Sequence, residues 1–231
     1  MNRTLDVLSS WASSTFALGG GTFVATLGPR PAQPLELYEW EACPFCRRVR
    51  EALSILDLEA RVFPCPKGGN RFRDRVRELG GRLQFPFLVD PNTGEQLYES
   101  GDIVRYLFRT YGAGRVPLQL RGGRYLAPAG RLASAARVGK GVRVRASRLP
   151  AEPLELWSFE SSPYCRIARE ALCQLELPYL LHNVAKGSPS RPAFVERSGR
   201  MMVPYLADPN TGAEMFESAD IVRYLYDTYA I

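Results

Sequence analysis

The stretch EWEACPFCRRVREAL, residues 39–53, places two cysteines two residues apart, with a proline between them. The residues at its start predict a strand over 35–40, and the apolar residues that follow the cysteines recur at helical spacing. These apolar residues are Val49, Ala52, Leu53 and Leu56. Pro44 suits the first helical position, because the N–H group that it lacks would have no partner there. We therefore expect Cys43 to lie where a strand ends and a helix begins.

The same pattern returns 119 positions later as FESSPYCRIAREAL, residues 159–172, where Ser162 replaces the first cysteine. A second match aligns residues 88–111 with residues 206–229, and 16 of these 24 positions are identical. Internal duplication on this scale predicts two copies of one structural unit. The first and second units have the bounds 35–112 and 154–231.

Each unit alternates strands and helices. In the first unit, ARVFPC at 60–65 predicts the second strand, the charged segment at 70–79 predicts a second helix, and DPNTG predicts a turn between two short strands. The last helix is expected to begin at Ser100, or at Ser218 in the second unit, because serine is a favoured N-cap residue. Such an order predicts an α/β fold, with a mixed sheet and helices on both of its faces.

An N-terminal extension, 1–34, precedes the units, and a linker, 113–153, joins them. Between residues 113 and 151 the linker has nine Arg or Lys and no acid, which exceeds the net charge of +6 of the whole chain. Three interpretations stay open for it: a solvated connector, a segment packed along the units, or a binding site for an anionic membrane surface or a protein partner. We do not expect nucleic acid as a partner. The extension is either a remnant of an organelle-targeting segment or a short helix over 3–14.

The composition is that of a globular protein, with 45% hydrophobic and 23% charged residues. No apolar run approaches the roughly 18 residues that a membrane-spanning helix needs, so we do not expect a transmembrane protein. The chain has five cysteines, an odd number, and is too long to need a disulfide framework. We therefore expect a reducing compartment and reactive thiols.

The two cysteines of the first unit suggest thiol chemistry. Unpaired N–H groups and the dipole at a helix start favour a thiolate at Cys43, and Arg47 and Arg48 add positive charge nearby. Cys46, one turn into the helix and more covered, is the candidate resolving thiol. A zinc half-site and an inert remnant stay open as alternatives, although zinc takes four ligands and the single histidine, His182, lies in the other unit.

Three further residues have less specific signals. Cys65 is either a third redox partner or an ordinary strand cysteine. Cys173 lies beside the apolar face of a helix and is expected to pack there. His182 lies on a strand, where we expect a structural role.

With these motifs in hand, the sequence resembles glutaredoxins and the N-terminal, thioredoxin-like domain of glutathione transferases. It is similar in particular to the tandem form found in photosynthetic organisms, with two such domains joined head to tail. The motifs that carry the resemblance occur in the same order in both units: the cysteine turn, a proline before the third strand, and Glu-Ser before the last helix. The resemblance implies two tandem thioredoxin-like domains, each with a four-stranded mixed sheet and helices on both faces.

The resemblance also implies glutathione as a substrate or ligand, and it assigns roles to matching residues. In the family the proline is cis, and the backbone of the residue before it pairs with the cysteine part of glutathione. The Glu-Ser pair holds the γ-glutamyl group, with the hydroxyl and helix N–H groups on its carboxylate. The matching positions are Phe85, Pro86, Glu99 and Ser100 in the first unit, and Val203, Pro204, Glu217 and Ser218 in the second. Lys67 and Lys186, at equivalent positions, either pair with the glycine carboxylate or are an inherited turn.

These roles predict a glutathione-dependent thiol-disulfide oxidoreductase that acts on glutathione mixed disulfides through Cys43 and Cys46. The second unit, with Ser162 and Cys165, is expected to bind glutathione or a partner with little exchange of its own. One alternative is a binding scaffold that uses the basic linker, and another is a carrier of an iron-sulfur cluster ligated by Cys43 and glutathione. The expected location is the cytoplasm of a bacterium or the plastid of a eukaryote.

Overall fold

The computed structural model describes residues 20–25, 27–121 and 141–231. The helix expected over 3–14, or the targeting segment in its place, lies outside these residues. The strands are β1 Leu35–Glu39, β2 Ala60–Pro64, β3 Phe87–Val89, β4 Gln96–Leu97, β5 Leu154–Ser158, β6 Tyr179–Asn183, β7 Tyr205–Asp208 and β8 Ala213–Phe216. The helices are α1 Pro44–Ile55, α2 Arg73–Gly80, α3 Ser100–Tyr111, α4 Leu118–Arg121, α5 Pro163–Gln174, α6 Arg191–Ser198 and α7 Ser218–Tyr229.

Each unit has the predicted thioredoxin-like architecture. In the first, β1 pairs with β2 in parallel and with β3 in antiparallel orientation, and β4 completes the hairpin. The second unit repeats this arrangement with β5, β6, β7 and β8. The observed elements differ from the sequence-based bounds by a few residues, since strand β1 ends at Glu39 and helix α2 begins at Arg73. Such differences are usual at element ends.

The two sheets join edge to edge into one sheet of eight strands, in the order β4-β3-β1-β2-β6-β5-β7-β8. Strand β2 pairs with β6 in antiparallel orientation, and Arg61 lies opposite Leu180 at the centre of the pairing. The free edge of each thioredoxin-like sheet is thereby covered by the other, which removes two exposed strand edges.

A continuous hydrophobic core lies under one face of this sheet. It is formed by the apolar stripes of α1, α3, α5 and α7 and by alternate strand residues such as Leu37 and Leu156. The opposite face has one small cluster in each unit, built around Tyr38 with helix α2 and around Trp157 with helix α6. Helices therefore cover both faces, as the alternation in the sequence predicts.

The described segments that precede the two units, residues 20–25 and 141–148, form a pair of equivalent arms. Phe23 pairs with Lys186 of the second unit, and Arg143 pairs in the same way with Lys67 of the first. Each arm then returns to its own unit, where Ala25 N–H donates to a carbonyl of α1 at 2.8 Å and Arg145 N–H to one of α5 at 2.7 Å. This part of the basic linker, 141–148, thus packs along both units rather than standing free in solvent.

Candidate functional site

Cys43 caps the N-terminus of α1, at the point where the chain leaves β1. Its backbone is extended, with φ −76° and ψ 121°, and its Sγ accepts a hydrogen bond from the N–H of Cys46 at 3.4 Å. Both cysteines are buried, and Cys46 is the more covered of the two. Cys43 thus lies at the start of the helix and Cys46 is the more covered thiol, as the sequence predicts, while their roles as nucleophile and resolving thiol stay predictions.

The environment separates the two thiols in acidity. A hydrogen bond from the Cys46 thiol lowers the pKa of Cys43 to about 7, against the opposing effect of burial. Backbone N–H groups at the helix start and the charge of Arg50 also contribute to this lowered value. Burial raises the pKa of Cys46 well above its usual value. Near neutral pH a large fraction of Cys43 is therefore thiolate, while Cys46 stays a neutral thiol.

Arg47 and Arg48, which the sequence places near Cys43, form hydrogen bonds with other groups. Arg47 Nε donates to Glu51 Oε1 at 3.2 Å, and Arg48 Nε donates to the carbonyl of Leu120 at 3.0 Å. Arg50 is fully buried and is the arginine that contributes to the lowered pKa of Cys43. Sequence spacing did not reveal it, because an arginine two turns into a helix usually faces solvent.

Both predicted prolines follow cis peptide bonds, at Phe85-Pro86 and at Val203-Pro204. Each lies directly before the third strand of its unit, β3 or β7. The cis geometry expected from the family resemblance is therefore present in both units.

The Glu-Ser pairs have an unusual backbone that sequence reasoning missed. Glu99 and Glu217 have φ values of +60° and +64°, in the left-handed region that non-glycine residues rarely occupy. Ser100 and Ser218 are the first residues of α3 and α7 and are buried. Gln84 Nε2 donates to Glu99 Oε1 at 2.5 Å and so helps to hold this conformation. Strained backbone of this kind concentrates at binding and catalytic sites. Its presence in both units indicates that the two Glu-Ser pairs have the same role.

Ser162 occupies the place of Cys43 in the second unit with nearly the same geometry. Its φ is −71° and its ψ 120°, and its Oγ accepts a hydrogen bond from the N–H of Cys165 at 3.3 Å. Burial raises the pKa of the Cys165 thiol. The second unit keeps the frame of the site without an acidic thiol.

Lys67 and Lys186 each lie near an aromatic ring, although the two rings stand at different positions in the repeat. The Nζ of Lys67 is 5.6 Å from the ring centroid of Trp40, and the Nζ of Lys186 is 5.4 Å from that of Phe23. The backbone of each lysine also pairs with an arm, Lys186 with Phe23 and Lys67 with Arg143. Their pairing with a glycine carboxylate stays a prediction.

The remaining candidates, Cys65, Cys173 and His182, make contacts that fit a structural role. Cys65 is buried just after β2 and Cys173 is buried in α5, and burial raises the pKa of both thiols. His182 Nδ1 lies 2.5 Å from Glu59 Oε1 across the junction of the units, and its ring stacks on Trp157 at 4.3 Å. Among the residues that the structure describes, no group of three His, Cys, Asp or Glu side chains is placed to hold a metal ion. In the same ranges, no helix is long and apolar enough to cross a bilayer.

Comparison with known protein families gives a direct result. A sequence model of the glutathione S-transferase N-terminal domain matches residues 37–115 and, separately, residues 156–230. The two matches cover more than half of the chain and coincide with the duplicated units. The chain belongs to this family. It is a tandem glutathione S-transferase N-terminal-domain protein with two thioredoxin-like segments.

Solved structures similar to this tandem protein include two glutathione transferases. Bombyx mori glutathione transferase BmGSTD1 is 27% identical with a TM-score of 0.33, over 36% of this chain and 38% of that one. Leishmania TDR1, a trimeric glutathione transferase, is 15% identical with a TM-score of 0.31, over 87% of this chain and 68% of that one. The tandem protein thus matches well under half the length of the silkworm enzyme. A comparison with curated proteins found no match.

Proposed function

We propose that this protein is a glutathione-dependent thiol-disulfide oxidoreductase that reduces glutathione mixed disulfides at Cys43. The observation that supports the proposal most strongly is the acidity of this thiol, with a pKa of about 7, in a domain of the glutathione S-transferase family. A thiolate at neutral pH is the form that attacks a disulfide sulfur.

In the proposed reaction the Cys43 thiolate attacks the glutathione sulfur of a glutathionylated protein or peptide. The S–S bond of the substrate breaks, a Cys43–glutathione disulfide forms, and the substrate leaves as a thiolate that takes a proton from water. A second glutathione thiolate then attacks the bound glutathione sulfur, which gives oxidised glutathione and restores the Cys43 thiolate. Cys46 is the alternative resolving thiol, but its raised pKa leaves little thiolate for that attack.

Binding of glutathione in the first unit is assigned to the residues around this thiol. The backbone of Phe85 pairs with the cysteine part, and Glu99 and Ser100 take the γ-glutamyl group at the start of α3. Lys67 takes the glycine carboxylate. These contacts direct the glutathione sulfur toward Cys43. We attribute to this orientation the part of the rate enhancement that the lowered pKa of Cys43 does not supply.

The second unit is proposed to bind glutathione or a glutathionylated partner without exchange. Val203, Glu217, Ser218 and Lys186 repeat the binding positions of the first unit, while Ser162 has no thiol to exchange. Because the reaction consumes reduced glutathione, we place the protein in a reducing compartment, the cytoplasm of a bacterium or a plastid.

The test is steady-state reduction of a glutathionylated peptide by reduced glutathione. Cys43→Ser is expected to abolish turnover, whereas Cys65→Ala, which changes a buried thiol of raised pKa, keeps it. Turnover that survives in Cys43→Ser would place the chemistry elsewhere. A folded native protein without any turnover would favour the binding scaffold instead.

A further inference from the structure

A basic cavity lies on the first unit between α1, α3 and the short helix α4. Its volume is about 570 Å³, within the range of small-molecule sites. Five arginines line it, and none of the described lining residues is acidic. They are Arg48, Arg105, Arg109, Arg115 and Arg121. None of the residues that line it is one to which the proposed function assigns glutathione binding or thiol exchange.

Two of the guanidinium groups converge at the start of α3. A Cβ atom placed on Gly101 would lie 3.5 Å from Nη1 of Arg48 and 3.7 Å from Nη1 of Arg105. The two like charges are thus close together beside the first turn of α3. Burial and the charge of Arg105 lower the pKa of Arg48, which is consistent with repulsion between them. An anion placed there would relieve that repulsion.

Two of the arginine side chains are held in place by hydrogen bonds to uncharged backbone carbonyls. Arg48 Nε donates to the carbonyl of Leu120 at 3.0 Å, and Arg121 Nε to that of Val116 at 2.6 Å. Carbonyl oxygens orient a guanidinium without neutralising it. Within the described residues, Arg105 is the lining arginine that forms an ion pair with a carboxylate, that of Asp102, in an exposed position, and the charge of Glu51 acts on Arg48.

The duplication provides an internal comparison. The positions of Arg48, Gly101 and Arg109 are Ile167, Ala219 and Asp227 in the second unit, and only Arg105 has an arginine counterpart, Arg223. Because the two units share their fold, the arginine cluster is not needed to form the fold. It is a feature of the first unit and of the linker residues that follow it.

We propose that this cavity binds a ligand with clustered phosphate groups. Several guanidinium groups exceed what one carboxylate would neutralise, and their planar forks match phosphate oxygens in bidentate fashion. The apolar side chains of Val104 and Leu120, which also line the cavity, suit an organic portion of the ligand. A soluble organic phosphate and a phosphorylated lipid headgroup share this chemistry.

The test is calorimetric titration of the full chain with sodium tripolyphosphate. Arg105→Ala is expected to weaken binding at least tenfold, and the double variant Arg48→Ile with Arg109→Asp, which restores the residues of the second unit, to abolish it. Arg223→Ala is the matched control, since Arg223 pairs with Asp220 as Arg105 pairs with Asp102. We expect this control to bind within twofold of the native chain. Circular dichroism verifies that each variant is folded.

A second arm separates the two sources of phosphate. Binding to vesicles that contain a phosphatidylinositol bisphosphate, lost in Arg105→Ala, identifies a lipid headgroup, and binding of tripolyphosphate without vesicle binding identifies a soluble phosphate compound. The proposal is overturned when tripolyphosphate does not bind saturably, or when Arg223→Ala weakens binding as much as Arg105→Ala. An oligonucleotide that binds more tightly than tripolyphosphate, with the same loss in Arg105→Ala, also overturns it.

Discussion

Arg50 of the first unit and Glu160 of the second form a buried ion pair, with Nε and Oε2 2.9 Å apart. Its counterpart runs in the opposite direction, since Arg169 of the second unit lies 3.0 Å from Glu41 of the first. Glu41 and Glu160 each stand two residues before the capping residue of a helix, Cys43 or Ser162. The two turns that carry the candidate sites are therefore fixed by the opposite unit.

Arg169→Leu is predicted to lower the free energy of unfolding by about 3–5 kcal/mol, because it leaves the buried Glu41 and Glu160 carboxylates short of a counter-charge. Denaturant titration measures the loss. Arg223→Leu, which breaks an exposed pair on α7, is the control and should cost less than about 1 kcal/mol. Equal effects of the two substitutions would show that the pairs between the units contribute no more than surface charges.

The acidity of Cys43 predicts its alkylation profile. The rate of reaction with iodoacetamide should rise with a midpoint near pH 7, since burial raises the pKa of the other four thiols. Cys46→Ala should move the midpoint upward, because the hydrogen bond from the Cys46 thiol is the largest cause of the lowered pKa. Cys43→Ser is the control for reaction at other sites. A midpoint near that of a free thiol, about 8.5, in the native chain would contradict the prediction.

Ser162→Cys is predicted to give the second unit an exchange-competent thiol. The substituted residue keeps the capping position and the N–H of Cys165 as a donor, the same surroundings that Cys43 has. In a Cys43→Ser background, this substitution should restore measurable reduction of a glutathionylated peptide. Failure to do so in a folded protein would mean that the second unit has lost glutathione binding as well as its cysteine.

Gly141 is predicted to be required for the arm that crosses between the units. Its φ is +63°, and a Cβ there would meet Glu41 Cβ at 3.2 Å and Glu170 Cγ at 3.3 Å. Gly212, with φ +76° and open space around it, is the matched control for backbone strain alone. Gly141→Ala should therefore lower the free energy of unfolding by about 1–3 kcal/mol more than Gly212→Ala, measured by denaturant titration. Equal losses of unfolding free energy in the two variants would mean that the arm accommodates the added methyl group without further destabilisation.

Glu51 predicts a pH dependence of stability. Burial raises its pKa from 4.5 to about 7, so the folded chain keeps a proton that the unfolded chain releases above pH 4.5. The stability from this group is present below pH 4.5 and is lost as the pH rises to about 7. Glu51→Gln should thus gain on the native chain between pH 5 and pH 8, by about 1–3 kcal/mol. Glu78→Gln, at an exposed position, is the control, and the same gain there would contradict the assignment.

Local features of the fold follow well from the sequence. The helix start at Pro44 depends on proline geometry and on the capping side chain of Cys43, which act within a few residues. The starts at Ser100 and Ser218 are also as predicted, but the expected serine capping is wrong, because Glu99 and Glu217 hold the N-cap positions without a side-chain cap hydrogen bond. Because the second unit repeats the sequence pattern of the first, its elements could be predicted from those of the first. The relation of the units was not predictable in this way, because strands such as β2 and β6 pair through backbone groups that every residue shares.

The electrostatics of the site show the same limit. The spacing of Arg47 and Arg48 predicts that they act on Cys43, whereas Arg50 is the arginine that lowers its pKa in the folded chain. Arg50 is buried among Glu39 and Glu41 of its own unit and Glu160 of the other, and a partner 110 positions away gives no local signal. The left-handed backbone of Glu99 was equally hidden, since a glutamate has no intrinsic preference for it.

The central claim is that the Cys43 thiolate attacks a glutathione disulfide. The most direct measurement is mass spectrometry of the Cys46→Ala variant after incubation with oxidised glutathione, followed by peptide mapping. The account predicts one glutathione per chain, attached at Cys43. An adduct confined to Cys65, Cys165 or Cys173, or no adduct on a folded chain, would contradict it.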